Sequence, residues 1–132
     1  MTAPLREGRP RDLAGWLAYL ETLHPKAIAM GLDRVRTVLA RLGLPIACPV
    51  VTVTGTNGKG STSAMIEAVM RAAGWRTGLY ASPHLMRYNE RVRIAGQEAT
   101  DDVLVAAFGA VEDARTSDEP PVPLTYFEFG TL

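Results

Sequence analysis

The stretch VVTVTGTNGKGSTSAMIEAVM, residues 50–70, changes its character at the centre. Up to Gly55 the residues are small and mostly β-branched, which is typical of a short buried strand. After Lys59 apolar residues recur at helical spacing and would form one packed face of a helix: Met65, Ile66, Val69, Met70 and Ala73. The stretch therefore predicts a strand over residues 49–54 that leads through a glycine-rich turn into a helix.

The glycine-rich turn has the parts of a phosphate-binding site. Gly55, Gly58 and Gly60 allow close approach of the backbone to an anion, and the helix N-terminus adds free N–H groups. Lys59 supplies a charge for the outer phosphates, and a hydroxyl such as that of Ser61 can bind Mg²⁺. The spacing departs from G-x-x-x-x-G-K-[ST], so a tight strand–helix turn with an incidental lysine is the alternative. The flanking strand and helix favour nucleotide phosphate and a distinct branch of phosphate-loop proteins.

Composition excludes several classes of protein. The chain has 132 residues, enough for one domain, with 14 basic and 14 acidic residues, which argues against nucleic-acid binding. No apolar run is long enough to span a membrane, and the polar residues 1–11 lack the apolar core of a signal peptide, which predicts a disordered lead and a cytoplasmic protein. The single cysteine, Cys48, rules out a disulfide framework and is predicted to be a buried apolar residue.

The rest of the sequence predicts alternating helices and strands. Helices are expected over residues 13–23, over 32–42 and over 102–115. The first would be capped by Asp12 and ended by Pro25, and the second would stop at Gly43. Residues 77–82 are predicted to form a strand parallel to the first, because strand, helix and strand follow within one βαβ unit. A small hairpin around Ala95-Gly96 and a loop over 116–123 complete the pattern.

Three motifs in matching order resemble one enzyme family. TGTNGKGST, SPHLMRYNERVRI and LTYFEFGTL, together with MGLDRVRTVLARLGLP upstream, resemble the bifunctional dihydrofolate synthase and folylpolyglutamate synthase family of Mur-ligase-type enzymes. The resemblance extends over nearly all of residues 13–132. The glycine loop alone would indicate only the superfamily.

The resemblance implies an α/β fold and a division into segments. Residues 49–132 would form the first part of a phosphate-loop ATP-binding domain with three layers and a mostly parallel sheet, incomplete in this chain. Residues 12–48 would form an N-terminal helical segment after the lead over 1–11. The glutamate-binding C-terminal domain of the family would be absent.

The resemblance also implies a reaction. Family members use ATP and Mg²⁺ to join L-glutamate to dihydropteroate or folates through an acyl phosphate. They are generally monomers. For this chain, its charge balance and lack of a long apolar run predict neither a nucleic-acid nor a membrane partner. The chain alone is expected to be inactive, because the second wall of the active site would be missing. Two alternatives stay open: another Mur-type ligase, of peptidoglycan or cyanophycin synthesis, and a non-catalytic module that binds ATP and Mg²⁺.

Site residues follow from the same motifs. The triphosphate would be bound by the loop residues Gly55, Thr56, Asn57, Gly58, Lys59, Gly60, Ser61 and Thr62, with Lys59 in the catalytic role. Ser61 and Glu128 would bind Mg²⁺. The pteridine substrate would lie near Ser82, Pro83, His84, Asn89, Arg91 and Asp33.

Several of these residues have a purely structural alternative. Thr125 and Glu128 fit a capping box, in which the glutamate bonds back to the start of the helix, and this role can coexist with metal binding. His84 can be an ordinary loop histidine. Arg91 and Arg93 can be solvated on a hairpin, and Asp33 with Arg34 can be a pair on a helix surface.

Overall fold

The computed structural model describes residues 8–24 and 30–132. The chain divides into two compact units. Unit 1 comprises the described residues up to Pro45 together with Asp101–Leu132, and unit 2 comprises Ile46–Thr100.

Within the described residues the elements follow in the order helix, helix, helix, sheet, helix, helix. They are α1 (Leu13–Thr22), α2 (Asp33–Leu42), α3 (Lys59–Ala72), β1 (Gly78–Tyr80), a 3₁₀ helix (Tyr88–Arg91), β2 (Val92–Ile94), β3 (Gln97–Glu98), α4 (Asp101–Arg115) and α5 (Tyr126–Thr131).

Unit 1 is a helical assembly in which α4 contacts α1, α2 and α5. Helix α1 begins at Asp12, whose carboxylate accepts the Gly15 N–H at 2.8 Å, as the sequence predicts. Trp16 is the centre of the core, with its ring 6.0 Å from that of Phe108 and 6.2 Å from that of Phe129. These aromatic contacts join three helices, because each ring comes from a different one.

A buried polar network also ties α1 to α4 in unit 1. Arg115 donates to both oxygens of Glu112 at 2.6 and 2.8 Å, and it donates to the Tyr19 hydroxyl oxygen at 2.6 Å. The Tyr19 hydroxyl in turn donates to Glu112 at 2.9 Å. Burial of Arg115 and Glu112 is tolerable because they pair with each other and both bond to the neutral Tyr19 hydroxyl.

Unit 2 contains α3 and a three-stranded antiparallel sheet in the order β1-β2-β3. Strands β2 and β3 form the predicted hairpin. Its turn residues Ala95 and Gly96 have φ of 50° and 81°, the left-handed values that a two-residue hairpin turn requires.

Helix α3 forms where the sequence predicts, but its buried face differs from the predicted one. Met65 and Val69, expected to pack inward, are 61% and 67% exposed. The buried residue of the helix is Glu67, which pairs with Arg93 of β2 at 3.0 Å. The helix is therefore joined to the sheet by an ion pair.

The predicted strand over residues 49–54 does not form in the structure, and this prediction is wrong. Apart from Val53 its residues are exposed, and β1 pairs antiparallel with β2. A strand needs a neighbour for its N–H and C=O groups, and the described part of unit 2 places none beside this segment. The predicted parallel pair is absent for the same reason. Cys48, predicted to be buried, is exposed.

Other predicted elements are confirmed. Helix α2 ends at Gly43 in the left-handed conformation, α4 ends at Arg115, and a loop follows. Of the predicted lead, residues 1–7 lie outside the described residues, as does Pro25, the expected helix breaker. No helix among the described residues is long and apolar enough to cross a membrane.

Candidate functional site

The glycine loop of unit 2 leads directly into α3. Gly55 and Gly58 have φ of 149° and 77°, and Gly58 is the residue that caps the helix without a side-chain hydrogen bond. The first intrahelical bond of this turn joins the Thr62 N–H to the Gly58 oxygen at 2.9 Å. The N–H groups that precede Thr62 in α3 therefore lack helical acceptors, and a helix N-terminus of this kind can bind an anion.

Lys59 lies over its own loop. Its ammonium donates to the carbonyl oxygen of Gly55 at 2.6 Å and is 3.3 Å from that of Thr56. Asn57, which follows Thr56 in the sequence, is exposed like the rest of the loop. The ammonium therefore lies at the loop, where it meets neutral acceptors that a phosphate could replace.

Two hydroxyls follow the lysine. Ser61 and Thr62 are exposed in the first turn of α3, after Gly60, and their hydroxyls make no hydrogen bond among the described residues. The next hydroxyl, of Ser63, instead donates to the Lys59 carbonyl oxygen at 2.9 Å. Ser61 and Thr62 are thus available to a ligand, whereas Ser63 is used within the helix.

A second group of predicted residues lies in the loop after β1. His84 accepts a hydrogen bond through Nδ1 from the Nε of Arg91 at 2.8 Å. The guanidinium of Arg91 lies 5.1 Å from the ring centre of Tyr88, and this cation–π contact helps to fix it. Asn89 is buried and donates to the Ala99 carbonyl oxygen at 2.8 Å. The structure therefore brings His84 and Arg91 together, whereas the Asn89 side chain is hydrogen-bonded in the interior of unit 2.

Glu90 fixes the backbone of this loop, a role that the sequence analysis missed. Its carboxylate accepts the N–H groups of Leu85, Met86 and Arg87 at 2.8, 2.7 and 2.7 Å. These backbone hydrogen bonds lower the pKa of Glu90 from its ordinary value. Glu90 stands three residues after Arg87, and this spacing is the signal that could have revealed it. Ser82 and Pro83, at the start of the loop, are exposed.

Glu128 of unit 1 forms the predicted capping box and a second, unpredicted contact. Its N–H donates to the Thr125 hydroxyl at 3.2 Å, and its Oε2 accepts the Thr125 N–H at 2.9 Å. Arg34 of α2 donates from Nε to Oε2 at 3.1 Å and from Nη2 to Oε1 at 2.7 Å. The carboxylate therefore holds α2 and α5 together. Asp33 is exposed and lies 4.0 Å from Arg36.

The charge of Glu128 follows from these contacts. Burial raises the pKa of Glu128, but hydrogen bonds from Arg34 and Thr125 outweigh burial and bring the pKa below its ordinary value. The same hydrogen bond to Glu128 raises the pKa of Arg34. Both groups are therefore charged at neutral pH.

The donor set limits what metal the described residues could hold. Among residues 8–24 and 30–132 no group of three or more His, Cys, Asp or Glu side chains could hold a metal ion. A carboxylate has about four acceptor positions, and at Glu128 three are taken by Arg34 and Thr125. The remaining position, at Oε1, fits a single bond to a hard cation such as Mg²⁺, which prefers a few carboxylate oxygens and retains water.

Comparison with known proteins identifies the family. A dihydrofolate synthase/folylpolyglutamate synthase of Escherichia coli is 52% identical over 121 residues, which cover 91% of this chain and 28% of that protein. The chain belongs to the dihydrofolate synthase/folylpolyglutamate synthase family. The chain spans about 28% of the length of the curated relatives that it matches. No family model matches the chain.

Solved structures of the family share the fold. E. coli FolC in complex with DHPP and ADP matches with a TM-score of 0.83 and 51% identity over 91% of this chain and 28% of that one. A bifunctional folylpolyglutamate synthase/dihydrofolate synthase with Mn, AMPPNP and L-glutamate bound matches with a TM-score of 0.80 and 50% identity, over 91% and 28%. The predicted class, a partial Mur-ligase-type α/β fold, is confirmed.

Proposed function

We propose that this chain takes part in an ATP-dependent ligase reaction that adds L-glutamate to dihydropteroate and to folates. The observation that carries the proposal is the glycine loop before α3, with Lys59 at its centre, in a chain 52% identical to a dihydrofolate synthase/folylpolyglutamate synthase. The solved relatives bind ADP or AMPPNP, Mn, DHPP and L-glutamate, and they support ATP, a divalent cation and these substrates here.

The loop residues divide the work of phosphate binding. The free N–H groups that open α3 are proposed to bind phosphate oxygens, and Lys59 to leave the Gly55 carbonyl for the outer phosphates. Phosphoryl transfer needs cations that offset the charge on the transferring oxygens. Mg²⁺, when bound, would supply part of that charge. Ser61 through its hydroxyl and Glu128 through Oε1 are the proposed ligands.

The acceptor substrate is proposed to bind near the loop after β1. The paired His84 and Arg91 offer a ring and a fixed guanidinium, which suit a flat heterocycle with hydrogen-bonding edges. Ser82 and Pro83 are exposed at the start of the same loop. Asn89 is proposed to act through the backbone, because its side chain is buried on Ala99. Asp33 is kept as a substrate contact on the resemblance alone.

Location, assembly and segment boundaries rest on the resemblance. We propose that the whole protein is a cytoplasmic monomer without nucleic-acid or membrane partners. The division at residues 12–48 and 49–132, with the glutamate-binding domain outside this chain, is proposed on the same ground.

Nucleotide binding by the 132-residue chain is the first test. Titration with a fluorescent ATP analogue and Mg²⁺ should show saturable binding, and Lys59→Ala should weaken it by about tenfold because one charge is lost beside the phosphates. The matched control is Arg76→Ala, which removes an exposed cation outside the loop. Equal weakening by both variants would show only a general charge effect and would contradict the proposed role of the loop.

A chimera tests the reaction. The matching segment of the E. coli relative is replaced by this chain, and ADP release is measured with glutamate and either dihydropteroate or a muramyl peptide acceptor. We expect release only with dihydropteroate and glutamate together, and a loss of about 100-fold or more in the Lys59→Ala chimera. Release with the muramyl acceptor would favour another Mur-type ligase. Binding of ATP with no ADP release under any of these conditions would favour a non-catalytic nucleotide-binding module.

A further inference from the structure

The Arg34 guanidinium is hydrogen-bonded to the Glu128 carboxylate, the group that the family resemblance assigns as a metal ligand. The two planar groups meet through two hydrogen bonds of 3.1 and 2.7 Å, one to each oxygen of Glu128. This fork geometry is the strong form of an arginine–carboxylate pair. With the Thr125 N–H on Oε2, it leaves one acceptor position, at Oε1.

Dissolved salt screens the Arg34–Glu128 ion pair only weakly, because both side chains are partly buried. The Glu128 side chain is only 9% exposed and the Arg34 side chain 25% exposed. Charges that are partly removed from water interact more strongly than surface charges, and salt screens them less. A divalent cation at Oε1 would therefore meet a fixed positive charge beside it, as well as the attraction of the carboxylate.

We propose that Arg34 competes with a divalent cation for the Glu128 carboxylate and so sets how tightly that carboxylate binds the cation. The inference rests on the proposed role of Glu128 as a metal ligand. Arg34 restricts the cation to one bond and opposes a bare cation by charge. A cation that already carries phosphate oxygens has a smaller net charge, so Arg34 opposes it less. Arg34 is thus a positioning residue for the cation at Glu128.

The test is a titration of the 132-residue chain with Mn²⁺ alone. Bound Mn²⁺ is measured by electron paramagnetic resonance, and broadening of the Glu128 carboxyl carbon is followed by NMR, with Glu128→Gln to assign the signal. Arg34→Gln and Arg34→Met remove the charge, whereas Arg34→Lys keeps the charge and loses the fork. Thr125→Ala is the matched control, since it weakens the same helix cap and leaves Arg34 in place.

Loss of the positive charge should tighten Mn²⁺ binding at Glu128 by roughly tenfold in Arg34→Gln and Arg34→Met. Arg34→Lys and Thr125→Ala should stay within about threefold of the wild type, and adding Glu128→Gln should abolish the gain. Three results would overturn the proposal: unchanged or weaker binding without Arg34, the same gain in Thr125→Ala, and a gain that survives Glu128→Gln.

Binding of the ATP analogue tests the proposed function separately from this inference, which is tested by Mn²⁺ binding. If the wild-type chain binds the ATP analogue through Lys59 and Mn²⁺ affinity does not depend on Arg34, only the present inference is overturned. If ATP does not bind and Mn²⁺ affinity rises on loss of Arg34, the competition stands and the nucleotide proposal fails. Absence of Mn²⁺ broadening at Glu128 in both the wild type and the Arg34 variants overturns the inference. Thermal unfolding of every variant shows that the compared proteins are folded.

Discussion

At the scale of single residues, the sequence predicts contacts between neighbours and misses contacts between distant segments. The Thr125–Glu128 capping box could be predicted because its partners stand three positions apart, and the structure confirms it. The Arg34 contact to the same carboxylate spans 94 positions. No local pattern carries such a pair, because it depends on how α2 and α5 pack.

The loop fixed by Glu90 should be sensitive to acid. The pKa of the Glu90 carboxyl is lower in the folded chain than its ordinary value of 4.5. The ionised carboxylate therefore stabilises the fold fully above pH 4.5. This stabilisation is lost as the pH falls through the lowered pKa. The difference in melting temperature between the wild type and Glu90→Gln should be constant from pH 7 to about 5.5 and should shrink below pH 4.5. Thermal unfolding across this range measures it.

The exposed Glu98 provides the control for this pH series. Glu98→Gln removes one carboxylate from the same unit and keeps the three hydrogen bonds of Glu90. Its difference from the wild type should stay near zero at every pH. A Glu90→Gln difference that grows on acidification would contradict the assigned role, because the sign of the linkage would then be reversed.

At the scale of elements, helices could be predicted well and strands poorly. Helical spacing, the Asp12 cap and the left-handed Gly43 are local features, and α1, α2 and α4 form where they indicate. The residues 49–54 have the composition of a strand, but strand formation depends on a partner elsewhere in the chain. The buried face of α3 could not be predicted for the same reason, since burial depends on what packs against the helix.

The hairpin turn offers a test of backbone strain. Ala95 has a φ of 50°, which costs alanine energy and suits asparagine better, and Ala95→Asn should therefore stabilise the protein by about 0.5–1 kcal/mol. Gly96→Ala should have the opposite effect, a loss of about 1–2 kcal/mol, because its φ is 81°. Chemical denaturation of both variants measures the two free energies of unfolding.

Arg71 separates two causes for the cost of Gly96→Ala. A Cβ added at Gly96 would overlap the Arg71 guanidinium, which must therefore move. It is the end of a flexible side chain, and it can move at little cost. Adding Arg71→Ala should therefore restore little of the lost stability. Full restoration would show that the steric overlap, rather than the backbone dihedral, is the cause.

At the scale of the whole molecule, unit 2 carries large apolar side chains on its surface. Val50, Val51, Met65, Val69 and Trp75 are all 60% exposed or more. Exposed apolar groups of this size favour association between molecules. The purified 132-residue chain should therefore self-associate as its concentration rises, which sedimentation velocity would show.

Paired lysine substitutions test this expectation. Val69→Lys should reduce association and change the free energy of unfolding by no more than about 0.5 kcal/mol, because the site is 67% exposed. Val38→Lys, at a fully buried position of α2, should cost about 3 kcal/mol or more. Similar destabilisation by both variants would show that Val69 is packed in solution.

The discontinuity of unit 1 has a consequence for synthesis on the ribosome. Unit 2 is one continuous segment, whereas unit 1 contains both α1 and α4. Helix α1 is therefore synthesised well before the helix that packs on it, since Tyr19 and its partner Glu112 stand 93 positions apart. At typical translation rates this interval lasts roughly 5–20 s. During it the apolar side of α1, with Trp16 and Leu20, emerges without the partners that bury it. We expect nascent α1 to be a preferred point of contact for chaperones at the tunnel exit, while unit 2 can fold before its neighbour is complete.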